Sequence, residues 1–195
     1  MSKLLIVALS TLAFSATAFA EGDTSTHFSL DTDPSTFAFG GFSGWAMAKP
    51  AAARHLRVGV GGFGLDFPSF LVPHLNRTGE DGWRLNVRAA MAFVGYFIGE
   101  RTGLYVGSYI GYLESQHTRA DTMGEANEHN ITVLPTVGYQ WFPFSQTSSL
   151  HGVYVQPWAG ATFWIPIGGT TTVGTHTFKD PHFIPIAALH LGYEF

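Results

Sequence analysis

Residues 181–195 constrain the fold more than any other stretch. At every second position they read Phe183, Pro185, Ala187, Leu189, Leu191, Tyr193 and Phe195, and between these stand His182, Ile184, Ile186, Ala188, His190, Gly192 and Glu194. Successive side chains of a strand point to opposite faces, so the first set makes a wholly apolar face. The second set is mixed, with two histidines and a carboxylate. The terminal residues of a soluble domain are ordinarily polar and frayed. A strand that is apolar on one side, mixed on the other and aromatic at its end suits a wall with lipid outside and a lumen inside.

The opposite end of the sequence agrees. Met1-Ser2-Lys3 is a short basic start, Leu4 to Leu9 an apolar run, and Ala18-Phe19-Ala20 a small-x-small site before Glu21. This pattern predicts a secretory signal peptide over 1–20, cleaved near Ala20, with 21–195 as the mature domain. A membrane anchor would need a longer run without the interruptions at Ser10, Thr11, Ser15 and Thr17. About 175 residues then remain, enough for one domain.

Composition narrows the class. Charged residues make up 12%, aromatics 15%, and there are 23 Gly, which suits strands with tight turns and small residues inside a narrow barrel better than helices. There is no Cys, which excludes a disulfide framework and a thiolate metal site. A formal charge of −4 with few Lys and Arg argues against nucleic acid as a partner.

Alternation predicts the strands. A weak one over 25–32 ends at an Asp33-Pro34-Ser35 turn, and 36–47 follows as a Phe- and Gly-rich strand. In 56–67, Leu56, Val58 and Val60 share one parity and Phe63, Leu65 and Phe67 the other, which suggests a β-bulge over Gly61-Gly62. The clearest internal strand is 83–97. Trp83, Leu85, Val87, Met91, Phe93 and Phe97 alternate with Arg84, Asn86 and Arg88, dividing lipid from lumen with the arginines inside. Further strands run over 104–118, 130–141 and 152–166. Connections near 50, 101 and 146 are shorter than those near 75, 123 (a polar loop over 119–127) and 174. The expected fold is all-β, an antiparallel up-and-down transmembrane barrel of eight strands, with ten as the alternative. Pro135, Pro157 and Pro185 fall within these strands and are expected at bulges or near strand ends. Aromatics are expected at two interfacial levels, Trp45, Phe97, Tyr105, Trp141 and Phe195 at one, Phe67, Trp83, Phe163 and Phe183 at the other.

A barrel this narrow is filled by side chains. The expected polar lumen network is Arg84, Asn86, Arg88, Glu114, Gln116, Gln140, Gln156 and Glu194. A five-residue connection over 99–103 sets Ile98 against Leu104, Asn86 against Gln116 and Arg88 against Glu114, giving an internal Arg88–Glu114 bridge. The nine histidines, among them His117, His129, His176 and His182 near the outer end, match no ligand spacing, so no metal and no cofactor is expected.

The whole mature chain resembles small eight-stranded bacterial outer-membrane barrels of the OmpX, OmpA-barrel and OmpW types, and Leu191, Tyr193 and Phe195 resemble their terminal assembly signal. The resemblance implies an outer-membrane location, lipid and the barrel-assembly machinery as partners, and a monomer. A non-enzymatic barrel with a packed or narrow lumen and exposed loops is the leading reading. A conduit for small, possibly hydrophobic solutes is the alternative that OmpW resemblance allows. A lipid-A or phospholipid hydrolase is a third reading. In the deacylase family a His-x-Ser pair works with a Glu, and His27-Phe28-Ser29 matches that pair, although on the first strand instead of a late one.

Overall fold

The structure is a computed structural model and describes residues 25–99, 101–181 and 183–195. The signal peptide and its cleavage site lie outside the described residues. The strands are β1 (His27–Thr32), β2 (Phe42–Lys49), β3 (Leu56–Asp66), β4 (Trp83–Phe97), β5 (Gly103–Arg119), β6 (Thr122–Gln140), β7 (Val153–Gly169), β8 (Thr172–Val173), β9 (His176–Thr177) and β10 (Ile184–Glu194). Two short helices, α1 (Pro34–Ala38) and α2 (Val72–Leu75), lie in connections. Eight strands form a closed antiparallel barrel in the order β1-β10-β7-β6-β5-β4-β3-β2, and β8 and β9 make a small separate hairpin. No described helix is long and apolar enough to cross a membrane. Both the start of β1 and the end of β10 lie at one end of the barrel, here called proximal.

The wall is apolar outside. Leu104, Val106 and Ile110 on β5, Val137 and Tyr139 on β6, and Leu189 and Leu191 on β10 are all exposed. Polar groups such as Ser29, Asp31, Arg57, Gln140, Gln156 and His190 are buried inside. Exposed outward aromatics form two levels, with Phe28, Tyr96, Tyr139, Trp141 and Phe195 proximal and Phe42, Phe163 and Phe183 distal. Trp141 faces Val155, and Phe163 stands further along the same strand beside Phe183, ring centroids 5.6 Å apart. At about 3.4 Å per residue and a tilt of about 40°, these levels are roughly 20 Å apart along the axis, near the height of a lipid-facing band. Of the aromatics expected at those levels, Trp45, Phe97, Tyr105 and Trp83 are buried inside instead.

Several boundaries differ from the alternation pattern. Residues 36–41 are not strand. Asp33 caps α1, its Oδ1 accepting from the Ser35 backbone N–H at 2.8 Å and the Ser35 hydroxyl at 2.7 Å. Pro34 fixes the first helical φ and withdraws an N–H from any sheet ladder. The expected loop over 119–127 is instead a continuation of β5 and β6 to a tight turn at Ala120-Asp121. Polar residues cover both faces there, so alternation cannot mark it. No bulge occurs at Gly61-Gly62, where Gly61 pairs Trp45 and Met91 and Gly62 pairs Gly44 and Ala90 in unbroken register. Pro135 and Pro157 are mid-strand, neither at a bulge nor at an end. The β6–β7 ladder skips Leu134 and Pro135 without changing register. Pro185 is near the start of β10.

Candidate functional site: a divided lumen

The sequence register of β4 on β5 is correct. Arg88 faces Glu114, Asn86 faces Gln116, and the Ile98 N–H donates to the Leu104 carbonyl at 2.8 Å. Its faces are inverted. Trp83, Leu85, Val87, Met91, Phe93 and Phe97 are buried inside, whereas Arg84 and Arg88 are exposed on the outer wall. Asn86 shares that outward parity and donates to Asp66 at 2.5 Å. Gln116 donates to Glu125 at 2.8 Å, also outside. No Arg88–Glu114 ion pair forms among the described residues. The rows Arg88–Glu114–His129 and Asn86–Gln116–Asn127 make a polar patch above the apolar belt instead.

Three of the expected lumen groups are inside: Gln140, Gln156 and Glu194. They belong to a proximal network that the sequence reading largely missed. Arg57 donates through Nη2 to Glu194 Oε2 at 3.0 Å, and both side chains are buried. The Arg57 guanidinium also lies 4.5 Å from the centroid of the Phe97 ring, where its charge meets the ring's negative face. Tyr154 donates its hydroxyl to Asp31 Oδ2 at 2.7 Å, and Gln156 donates to the Tyr105 hydroxyl at 3.0 Å. Asp31 Oδ1 and His190 Nδ1 are 3.1 Å apart, close enough for an ion pair but without the alignment of a hydrogen bond. Small residues make room for these rings. A Cβ on Gly138 would sit 2.5 Å from Tyr105 Cε1 and 2.7 Å from the Pro157 carbonyl. The parity of Arg57 between Leu56 and Val58 was the available signal for its inward position.

Above this network the lumen is hollow. A cavity of about 400 Å³ is lined by Trp45, Phe63, Leu65, Met91, Leu134, Trp158 and Trp164, with His190 among its walls. Phe63 and Leu65 are the residues whose parity suggested a bulge. Strand β3 has outward Leu56, Val58 and Val60 in its proximal half and inward Phe63 and Leu65 in its distal half, so its apolar residues change faces while its register does not.

The cavity reaches the wall at a seam. Strand β1 pairs only with Leu191 to Glu194 of β10 and ends at Thr32. On its other side β10 pairs with β7 from Ile184 to Tyr193. Ile184 to His190 therefore has no strand on its β1 side among the described residues. Ile184 to Ala188 line the cavity along this edge, and α1 packs across it against β10, β2 and β3. Ile184 and His190 pair with Thr162 and Gln156, which places the unpaired edge between the two aromatic levels.

The other sequence candidates are scattered. His27 and Ser29 share the inward parity of β1, but the nearby Asp31 turns to Tyr154 and His190. No hydroxyl is hydrogen-bonded to the His190 ring among the described residues. Leu191 and Phe195 are exposed on the outer wall, and the Tyr193 and Phe195 rings pack 5.1 Å apart. His129 faces outward at 2.5 Å from the Tyr112 hydroxyl, and His176 lies 3.5 Å from Glu80. His182 lies outside the described residues.

No family model matches this chain, and no curated protein matches it. Among solved structures it is similar to the N-terminal β-barrel domain of Pseudomonas aeruginosa OprF, with 11% identity over 90% of this chain and 100% of that one and a TM-score of 0.46.

Proposed function

We propose that this chain is an outer-membrane β-barrel that takes an apolar, chain-like molecule from the lipid phase into a blind pocket. The observation that carries the reading is the apolar cavity meeting the unpaired edge of β10. The outward belt between two aromatic levels supports a lipid-embedded barrel, because in water so large an apolar exterior would drive association. An edge of unsatisfied backbone groups facing hydrocarbon is costly, so a seam at this depth favours a cover that moves or an occupant that fills it. Helix α1 is the cover in this conformation. The proximal network fills the lumen below the pocket, which favours a receptacle over an axial pore.

The export signal over 1–20, the terminal Leu191, Tyr193 and Phe195 pattern, and contact with the barrel-assembly machinery belong to the same proposal. Expression of the full chain in a Gram-negative host should give an outer-membrane band whose mobility changes on boiling. Native mass spectrometry of the detergent-solubilised protein, offered a long-chain fatty acid, should show one retained per chain. Planar bilayers should show no discrete conductance steps. Repeatable steps would overturn the blind pocket and favour an axial conduit.

The approach of His190 to Asp31 at the cavity wall favours one second reading, a lipid hydrolase, since a histidine beside a carboxylate is part of a base-and-nucleophile arrangement. That reading requires a changed lipid mass when the protein is expressed, and unchanged lipids would exclude it.

A further inference from the structure

A cluster at the distal end has no part in the pocket. His117 on β5, Glu128 on β6 and Asp180, in the connection leading to β10, bring one ligand atom each within 4.8 Å of one another. His117 is fully buried, and neither of its ring nitrogens has a hydrogen-bond partner among the described residues. Asp180 Oδ1 is buried and unpartnered as well. A histidine without a partner for either nitrogen is costly unless something else occupies them. Two carboxylates facing one imidazole supply both the charge and the donor atoms that a dication needs.

The surroundings hold these groups in place. The His117 ring lies between Phe178, at 4.8 Å, and Trp83, at 6.4 Å between centroids. Asn130 donates through Nδ2 to Glu128 Oε2 at 2.9 Å, the kind of outer contact that fixes a ligating carboxylate. The nearby Arg119 is engaged elsewhere, by Asp121 at 2.7 Å and Glu80 at 3.2 Å. The cluster lies beyond the apolar belt, since the outward neighbours of His117 are Gln116 and Thr118.

We propose that His117, Glu128 and Asp180 form a binding site for one divalent cation of the zinc class, which ties the connection before β10 to the β5–β6 hairpin. Ligands from three separate elements explain why no spacing in the sequence announced it. Bound there, the cation fixes the chain shortly before the unpaired edge of β10 begins. This proposal stands apart from the pocket, because neither its residues nor its readout involves a lipid.

The test uses the full chain refolded in detergent, loaded with zinc and passed through a desalting column. The expected result is one zinc per chain by elemental analysis, falling at least tenfold in Asp180→Asn, Glu128→Gln and His117→Gln. Cobalt in place of zinc should give visible ligand-field absorption in the parent protein and none in the variants. Zinc should also slow proteolysis of 170–183 several-fold in the parent alone. Boiling-dependent mobility checks that each variant has folded. A parent protein that retains no zinc overturns the proposal whatever the variants do, and so does equal retention by folded variants, which would assign the metal to surface histidines.

Discussion

In the proximal half of the lumen, Arg57 meets Glu194 at 3.0 Å, Tyr154 meets Asp31 at 2.7 Å, and Gly138 leaves just enough room for Tyr105. In the distal half, Phe63, Leu65, Met91 and Leu134 surround about 400 Å³ of space. One ring of strands supports both. The contrast teaches that strand number sets the diameter, while the inward residues at each level decide whether that diameter is filled. Where inward side chains are long, charged and paired, the lumen is sealed. Where they are apolar and the wall loses β1 as a neighbour, the same lumen holds a pocket that reaches the edge of β10 beneath α1.

Removing the paired charge should have the largest effect. Arg57→Met leaves Glu194 buried with Arg101, 4.0 Å away, as its remaining cationic neighbour among the described residues. A buried charge stripped of its partner costs about 3–5 kcal/mol. Urea unfolding in lipid vesicles should show a loss of this order, and Arg57→Met combined with Glu194→Gln should recover most of it. A single variant as stable as the parent would mean that the proximal half is not a tightly coupled network.

Adding volume separates the two halves more directly. Gly138→Leu forces carbon against Tyr105 and the Pro157 carbonyl in the filled half, an overpacking worth about 1–3 kcal/mol or more. Ala188→Trp projects instead toward the hollow half, where Ala188 lines the cavity. It should change stability by less than about 1 kcal/mol, because the added ring enters the cavity that Ala188 lines. Its effect should appear in native mass spectrometry as loss of the retained fatty acid. Equal destabilisation by both substitutions would mean that the distal cavity closes in the folded protein.

The sequence made the strands legible and left their facing ambiguous. On β4 the boundaries Trp83–Phe97 and the pairing of Arg88 with Glu114 follow from alternation and one turn length. Alternation defines two faces without saying which is inside. The rule that polar residues face a lumen fails on this strand because its distal inward residues, Val87 and Met91, line an apolar pocket. Arg84 and Arg88 face out where β4 rises past the apolar belt into a zone of polar rows. On β10 the same rule succeeds, since His190 and Glu194 sit in the polar half. Helix α1 was hidden for a local reason, as Asp33-Pro34-Ser35 opens both turns and helices. The cavity and the seam are sums over several strands, so no single stretch could announce them.

The smallest expected effect is the sharpest test of the facing. Arg88→Ala would break an internal ion pair if the arginine stood in the lumen, leaving Glu114 buried and alone at a cost of several kcal/mol. On the outer wall Arg88 is exposed and Glu114 is half-buried at the level where the apolar belt gives way to polar rows. There the substitution should cost less than about 0.5 kcal/mol, since exposed charges contribute little and salt screens them. Urea unfolding of Arg88→Ala beside Arg57→Met therefore reads the two sides of the wall with one chemistry. A large loss at both positions would turn β4 around, and with it the apolar walls of the pocket. A large loss at Arg57 alone fixes the polar network to the proximal lumen and the arginines of β4 to the outside.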